Sequence, residues 1–301
     1  MTLKDYFIFF RWKNVLMIVL IQYLFKYVLF EKYVLMVSMD DLHFALLTLS
    51  TVCIAIAGYI INDIHDIKAD IINKPDQLFV DRKIARITAQ YLFIGFNSAG
   101  LMLGMYLSYY IGHTSYFFIY VLTSLLLYQY AKYLKVKFLI GNIIISLIIL
   151  LSILLVLVFD LMPTTTYYNL DDHMLIIRIL VLFAAFGFTL TLLREIVKDV
   201  EDLEGDKAMG ARSLPIVMGI KKTKTALISI SIPVVMAVVY FTYTLLDNNL
   251  YLPVYIAAAV ALPLLYFIYA ITKAESKKQF NHLSALLKII MFTGILSMIF
   301  I

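Results

Sequence analysis

Cysteine and charge are both scarce in this sequence of 301 residues. Cys53 is the one cysteine, so no internal disulfide can form to cross-link the fold. Charged residues make up 15% of the chain, against about a quarter in soluble domains, which excludes a water-soluble globular protein of this size. The five histidines are widely separated and none has a second soft ligand beside it, which argues against a zinc site.

The sequence is instead rich in long apolar runs. The composition is 63% hydrophobic with a mean hydropathy of +0.92, which indicates an integral membrane protein. The runs are continuous, without the alternation of a lipid-facing barrel strand, so they predict helices. We predict an all-α polytopic membrane fold of about nine transmembrane helices bundled around a polar cavity. The predicted spans lie near 14–36, 42–61, 88–111, 114–131, 138–159, 174–193, 225–246, 250–272 and 284–301.

The distribution of basic residues predicts the orientation of these spans. Cytoplasmic loops of membrane proteins carry an excess of Lys and Arg. If the N-terminus is cytoplasmic, that face receives all but four of the 25 Lys and Arg residues. The exceptions are Lys26, Lys32, Arg178 and Lys288. We therefore predict a cytoplasmic N-terminus and a C-terminus on the other side.

Two short stretches hold more than half of the 20 acidic residues. They contain Asp63, Asp66 and Asp70 in the first stretch and Asp199, Asp202 and Asp206 in the second. Asp66 and Asp70 lie three and seven residues after Asp63, and the second stretch repeats these intervals at an offset of 136. Carboxylates at i, i+3 and i+7 share one face of a helix extending from a span. The repeat predicts one domain over 1–301, with related halves at roughly 1–135 and 136–272 and a last helix at 284–301.

The chemistry of these carboxylates indicates a magnesium site. Three like charges on one helix face repel one another unless a cation neutralises them. Hard carboxylate oxygens suit Mg²⁺, which typically takes one or two carboxylates per ion and completes its shell with water and phosphate oxygens. We predict that all six aspartates are catalytic metal ligands around a diphosphate at the cytoplasmic face. Solvated loop charge is one alternative and an ion pathway is another, but a position at helix ends favours interfacial chemistry.

Several motifs along the chain have a characteristic combination. Asn62-Asp-x-x-Asp66-x-x-x-Asp70 precedes Asn73-Lys-Pro75, and the second acidic stretch follows the sixth span. Further elements are Arg11-x-x-Asn14, a Tyr-x-x-x-Lys element near Tyr128 to Lys135, and Gly141-Asn142. Together they resemble the UbiA-type intramembrane prenyltransferases over nearly the whole chain. Within that superfamily, the second stretch with Gly210-Ala-Arg212-Ser-Leu-Pro215 most resembles the digeranylgeranylglyceryl phosphate synthases and their bacterial relatives.

The resemblance implies a membrane enzyme with Mg²⁺ as cofactor. Its reaction would move an isoprenyl group from an allylic diphosphate, such as geranylgeranyl diphosphate, to a lipid acceptor such as geranylgeranylglyceryl phosphate, releasing diphosphate. Cations and polar groups would bind the substrates and stabilise the leaving group. The candidates are Asn62, Lys68, Tyr128, Tyr130, Lys132, Lys135, Arg194, Lys198, Lys207 and Arg212. The Tyr-x-x-x-Lys element fits either Tyr128 with Lys132 or Tyr130 with Lys135.

One departure from the family pattern and two alternative functions stay open, and the motif of a third alternative is absent. Gln77-Leu78 stands where the family usually has Arg-Pro, so Arg82 or Lys83 would have to supply the missing cation. An aromatic quinone or tetrapyrrole precursor is an alternative acceptor. A secondary transporter with duplicated halves is an alternative of another class. The Asp-Gly-x-x-Ala-Arg motif of CDP-alcohol phosphotransferases is out of register here, and no nucleic-acid partner is indicated.

Overall fold

A computed structural model describes residues 2–245 and 250–301 of the chain. These residues form α-helices joined by short π-helical and 3₁₀ segments, and no strand occurs among them; Val80 and Ile84 make an isolated bridge. The contacts divide the chain into two compact units. Unit 1 comprises Met1–Lys135 and Leu150–Ala184, and unit 2 comprises Val136–Ile149 and Ala185–Ile301.

The described residues contain fourteen α-helices, α1 to α14. In chain order they are Leu3–Phe9, Trp12–Leu24, Asp41–His65, Ile67–Asn73, Arg86–Tyr110, Phe117–Gln129, Ile140–Val156, Leu170–Glu201, Leu203–Ala208, Leu214–Met218, Ile220–Thr244, Tyr251–Ile256, Leu262–Lys273 and Lys277–Leu296. Four of them continue without interruption into π-helical segments. These segments are Phe25–Phe30 after α2, Tyr130–Leu134 after α6, Leu157–Leu161 after α7 and Ala257–Ala261 after α12.

Eight described helices are long and apolar enough to cross a membrane. They are Trp12–Phe30, Asp41–His65, Arg86–Tyr110, Ile140–Thr164, Tyr167–Glu201, Ile220–Thr244, Tyr251–Lys273 and Lys277–Phe300. The predicted span at 114–131 corresponds to α6, which has 13 residues and is not one of the eight. It runs into the polar sequence from Gln129 to Lys132, which shortens its apolar stretch. The predicted span at 225–246 has its last residue outside the described residues.

The core of unit 1 is built on closely approaching helices. Phe9, Ile60 and Val80 belong to one buried apolar cluster of this unit. A Cβ added at Gly100 of α5 would lie 2.7 Å from the Ile54 side chain of α3, and one at Gly104 would lie 2.5 Å from the Tyr120 ring of α6. Small residues at such crossings let membrane helices pack with their backbones close together.

The core of unit 2 gathers buried aliphatic side chains from α8, α11, α13 and α14. Leu193, Val197, Phe267 and Leu287 are fully buried there. The last turns of α8 are therefore held by apolar packing on one side. The second acidic stretch begins directly after this packed part of α8.

Candidate active site

Both acidic stretches contain a helix break at their middle aspartate. In unit 1, α3 ends at Asp66 with φ −90° and ψ 0°, and α4 begins at the next residue. In unit 2, α8 ends and α9 begins around Asp202, with φ −97° and ψ 13°. This bridge region of the backbone is sparsely populated and recurs at active-site residues. Each stretch is therefore interrupted at its middle carboxylate, a feature that the spacing of the aspartates did not predict.

The helical hydrogen bonds nevertheless continue around each break. In unit 1 the Asp66 amide donates to the Asn62 carbonyl at 2.9 Å, and the Asp70 amide donates to the Asp66 carbonyl at 2.8 Å. In unit 2 the Asp202 amide donates to the Lys198 carbonyl at 2.8 Å, and the Asp206 amide donates to the Asp202 carbonyl at 3.1 Å. The two stretches thus share one local backbone form as well as one spacing.

The first aspartate of the first acidic stretch, Asp63, is paired with Arg11. The Arg11 guanidinium donates to the Asp63 carboxylate at 2.6 Å and also lies 4.9 Å from the centroid of the Tyr59 ring. Arg11 has left-handed backbone angles, φ 52° and ψ 47°, at the start of α2. A non-glycine residue in this region is strained by about 1 kcal/mol, which the ion pair and the ring contact help to offset. Sequence reasoning noted Arg11 as a family element and did not include it among the site residues.

The middle aspartate of the first acidic stretch, Asp66, binds an amide and a cation. The Asn62 side-chain amide donates to Asp66 at 2.5 Å, and the Lys135 ammonium contacts the same carboxylate. Lys135 reaches it at the end of the π-helical segment after α6, where its own amide donates to the Tyr130 carbonyl at 3.1 Å. A π-helical turn bonds residues five apart, so it suits the longer Tyr130 and Lys135 spacing.

The two other cation candidates of unit 1 are in exposed positions. Lys68 is exposed. Lys132 is exposed too and lies 5.7 Å from the Tyr128 ring centroid and 4.9 Å from that of Tyr133, and a hydrogen bond with Tyr133 raises the pKa of Lys132. The Tyr128 ring lies edge-on to His65, with centroids 6.4 Å apart.

The two proposed substitutes for the missing arginine have structural partners. The Arg82 guanidinium donates to the Pro75 carbonyl. The Lys83 ammonium donates to Asp5 at 2.7 Å, and this hydrogen bond holds the pKa of Asp5 well below its usual range. In the described structure the guanidinium beside the first acidic stretch is thus that of Arg11, which precedes it by 52 residues.

The second acidic stretch is bound by neutral amides. The Asn142 side chain at the start of α7 donates to Asp199 at 2.9 Å, and Asn142 is 9% exposed. The Asn281 side chain of α14 donates to Glu201 at 2.9 Å, and Glu201 is 7% exposed. Sequence reasoning left both asparagines out of the site. The signal for Asn142 was present, because it is a polar residue that opens a strongly apolar helix.

Two predicted cations meet on one carboxylate just before this stretch. The Arg194 guanidinium donates to Glu195 at 3.0 Å, and the Lys198 ammonium donates to both Glu195 oxygens at 3.2 and 3.1 Å. Lys207 is exposed and pairs with Glu204 at 3.5 Å. Arg212 is exposed, and its backbone amide donates to the Val136 carbonyl at 2.8 Å.

The donor set fits a magnesium ion that shares its shell with a substrate. Among residues 2–245 and 250–301, no three His, Cys, Asp or Glu side chains form a group that could hold a metal by themselves. Asp63, Asp70, Asp199 and Asp206 are each half-buried and offer carboxylate oxygens. Mg²⁺ is commonly bound by one or two carboxylates together with waters and substrate phosphates. The aspartates therefore suit a Mg²⁺–phosphate complex better than a closed protein cage.

The chain is similar in sequence and in fold to proteins of one family. Residues 34–293 match the model of the UbiA prenyltransferase family. The digeranylgeranylglyceryl phosphate synthase of Korarchaeum cryptofilum is 30% identical over 247 residues, 82% of this chain and 81% of that protein. A solved structure described as giving insights into digeranylgeranylglyceryl phosphate synthase in membranes has 28% identity and a TM-score of 0.63, with 99% of each chain covered.

A third likeness concerns the fold alone. A UbiA homolog from Archaeoglobus fulgidus, solved bound to GPP and Mg²⁺, has 15% identity and a TM-score of 0.62, covering 99% of this chain and all of that one. The predicted all-α membrane fold and the predicted family resemblance are confirmed. The assignment of individual site residues stays a prediction.

Proposed function

Because the chain belongs to the UbiA prenyltransferase family, we propose that it transfers an isoprenyl group from an allylic diphosphate to a lipid acceptor, releasing diphosphate. The expected pair of substrates is geranylgeranyl diphosphate and an acceptor such as geranylgeranylglyceryl phosphate, since a relative similar over 82% of the chain is named for that synthesis. A new carbon–oxygen bond forms at the prenyl carbon, the bond to diphosphate breaks, and the acceptor hydroxyl loses its proton.

The observation that carries this proposal is the repeated bend. Both acidic stretches have a middle aspartate in the same backbone form, Asp66 in unit 1 and Asp202 in unit 2. We propose that both stretches serve one reaction, with metal ligands drawn from Asp63, Asp66, Asp70, Asp199, Asp202 and Asp206. Mg²⁺ bound there would neutralise charge that develops on the leaving diphosphate. The A. fulgidus homolog, which shares the fold, was solved bound to GPP and Mg²⁺, and this supports Mg²⁺ as the cofactor.

The cations of unit 1 have a defined part in the proposal. Lys135 and Arg11 each contact an aspartate of the first stretch. Both cations lie beside carboxylates that we propose as metal ligands, so their positive charge would be in place as negative charge grows on the leaving diphosphate. Asn62 and Tyr130 complete the polar surroundings. The exposed Lys68, Lys132, Lys207 and Arg212 stay in the proposal as groups that attract the anionic substrate.

The location of the reaction follows from the long apolar helices. The chain is an integral membrane protein of the UbiA family, and eight of the described helices are long and apolar enough to span the bilayer. We propose that α6, continued by the π-helical segment Tyr130–Leu134, crosses the membrane as a ninth span. The N-terminus and both acidic stretches then face the cytoplasm, and that face holds nearly all Lys and Arg residues. We also propose that 1–301 forms one family domain with two related halves.

A direct assay tests the proposal. Purified protein in lipid nanodiscs receives Mg²⁺, geranylgeranyl diphosphate and one acceptor at a time, either geranylgeranylglyceryl phosphate or an aromatic quinone precursor. We expect release of diphosphate and formation of a prenylated glycerophospholipid, both lost on chelation of Mg²⁺ and restored when it is returned. Failure to release diphosphate with any acceptor in the presence of Mg²⁺ would contradict the proposal.

A further inference from the structure

A small ionic group lies on α8 immediately before the second acidic stretch. Glu195 is its centre: one carboxylate accepts from the Arg194 guanidinium at 3.0 Å and from the Lys198 ammonium at 3.2 and 3.1 Å. Arg194 and Lys198 are four residues apart, so they lie on the same side of the helix and would repel each other without Glu195. The group as a whole carries one net positive charge.

Its burial distinguishes the group from an ordinary surface ion pair. The side chains of Arg194, Glu195 and Lys198 are 22%, 13% and 28% exposed, and they lie within a helix fit to span the membrane. Leu193 and Val197 beside them are fully buried. The group thus combines charge with apolar neighbours, which suits an anion attached to an apolar body, such as the phosphate of a lipid.

One donor of the group needs an acceptor. The Arg194 Nε atom is fully buried and has no hydrogen-bond partner in the described part of the chain. Burying an unpaired donor of a charged group costs free energy, and an oxygen-rich anion would recover it. A guanidinium presents its N–H groups as a planar fork that matches two phosphate oxygens. The Lys198 ammonium adds a point charge that suits a third oxygen.

We propose that Glu195 is a positioning residue that holds Arg194 and Lys198 together as a binding group for the phosphate monoester of a lipid acceptor. This inference rests on the proposed function and gives the acceptor a specific site. It assigns Glu195 a role in choosing between acceptors with and without a phosphate, while the donor diphosphate binds elsewhere. Glu195 acts through the two cations and does not touch the reacting atoms.

The test compares Glu195→Gln with a matched control. Glu204→Gln removes the carboxylate of another glutamate that pairs with a lysine three residues later, at 3.5 Å and in an exposed position. Both variants and the wild type are assayed with Mg²⁺, geranylgeranyl diphosphate and two acceptors, geranylgeranylglyceryl phosphate and geranylgeranylglycerol. For Glu195→Gln we expect the KM of the phosphorylated acceptor to rise about tenfold, with kcat and the donor KM within about twofold. Glu204→Gln should leave all three constants unchanged.

The sign of the change discriminates positioning from simple charge. Removing a negative charge should by itself strengthen anion binding, so a lowered or unchanged acceptor KM in Glu195→Gln overturns the proposal. A rise in the donor KM instead would assign the group to the diphosphate and would also overturn it. Arg194→Lys keeps the charge but loses the Nε donor, and it should likewise raise the KM of the phosphorylated acceptor alone.

A binding measurement separates this inference from the proposed function. The melting temperature of the wild type in detergent is measured with each acceptor and without donor. Stabilisation by the phosphorylated lipid but not by the alcohol, lost in Glu195→Gln and kept in Glu204→Gln, supports the inference even if no turnover is seen. Equal stabilisation by both lipids contradicts it, whereas absent diphosphate release contradicts the proposed function alone.

Discussion

The two acidic stretches have the same backbone bend but different partners. In unit 1, Asp63 and Asp66 bind the cations Arg11 and Lys135, which come from other elements of the chain. In unit 2, Asp199 accepts from the neutral amide of Asn142, and the nearby cations Arg194 and Lys198 are held by Glu195. A duplicated local structure has thus acquired two electrostatic environments. Among the described contacts, cations thus pair directly with Asp63 and Asp66, whereas Asp199 accepts from an amide and Glu195 holds Arg194 and Lys198.

The largest effect is expected from the middle aspartates, where the two stretches are alike. Asp66→Asn and Asp202→Asn each keep the shape of the side chain but remove the charge. If both carboxylates serve the metal-bound diphosphate, each variant should lose several kcal/mol of transition-state stabilisation, about 10³-fold in kcat/KM. The measurement is diphosphate release at a Mg²⁺ concentration that saturates the wild type. Asp76→Asn, an exposed acidic position outside the motif spacing, serves as the control and should retain activity.

A loss confined to one of the two aspartates would break the comparison. In that case the stretches would share a fold without sharing a function, and the metal assignment would apply to one unit. Circular dichroism and melting temperature must be similar for all variants, so that a loss of activity reports on chemistry. Additional Mg²⁺ should partly restore either variant if its defect is weakened metal binding.

The next effect concerns stability and contrasts an ionic with a neutral contact. Within unit 1, the Lys26 ammonium donates to Asp160 at 2.9 Å and to the Met39 carbonyl at 2.6 Å, and Asp160 is fully buried. Lys26→Met leaves the buried carboxylate without its charge partner, which should cost about 3 kcal/mol. At ~2 °C per kcal/mol, the melting temperature should fall by about 6 °C. The double variant Lys26→Met, Asp160→Leu should recover most of this loss.

Asn281→Ala provides the matching change in unit 2. It leaves one oxygen of the buried Glu201 without its amide donor, so we expect a loss of about 1–2 kcal/mol in the same measurement. Equal losses in Lys26→Met and Asn281→Ala would contradict the expectation that losing a buried ionic partner costs more than losing a neutral amide donor. A double variant no more stable than Lys26→Met alone would contradict the ion pair itself.

The sequence predicts the helices better than the bends. Apolar runs specify spanning helices because lipid offers no partner for backbone N–H and C=O groups. The breaks at Asp66 and Asp202 have no proline or glycine to announce them; both fall on an aspartate, whose side chain competes with helical hydrogen bonds. The position of Lys135 depends on a π-helical turn that no residue type marks. Arg11 meets Asp63 across 52 residues, a contact that only tertiary packing can bring about.

The smallest effect is expected for Arg11→Gln, and its response to salt distinguishes the ionic partner of Asp63 from the amide partner of Asp199. Asn142→Ala removes a buried amide that orients Asp199, and loss of such a supporting group typically costs 10–100-fold in activity or metal affinity. Arg11→Gln removes a partner that is 36% exposed from an aspartate that is 15% exposed, so about fivefold in kcat/KM is expected at low salt. Added NaCl screens the accessible Arg11–Asp63 pair, so the Arg11→Gln deficit should shrink to about twofold near 0.5 M. The Asn142→Ala deficit should not change with salt, because a buried neutral donor is not screened. If both deficits fell in parallel as salt was raised, the electrostatic distinction between the two units would be wrong, and their shared backbone would be the better guide to their chemistry.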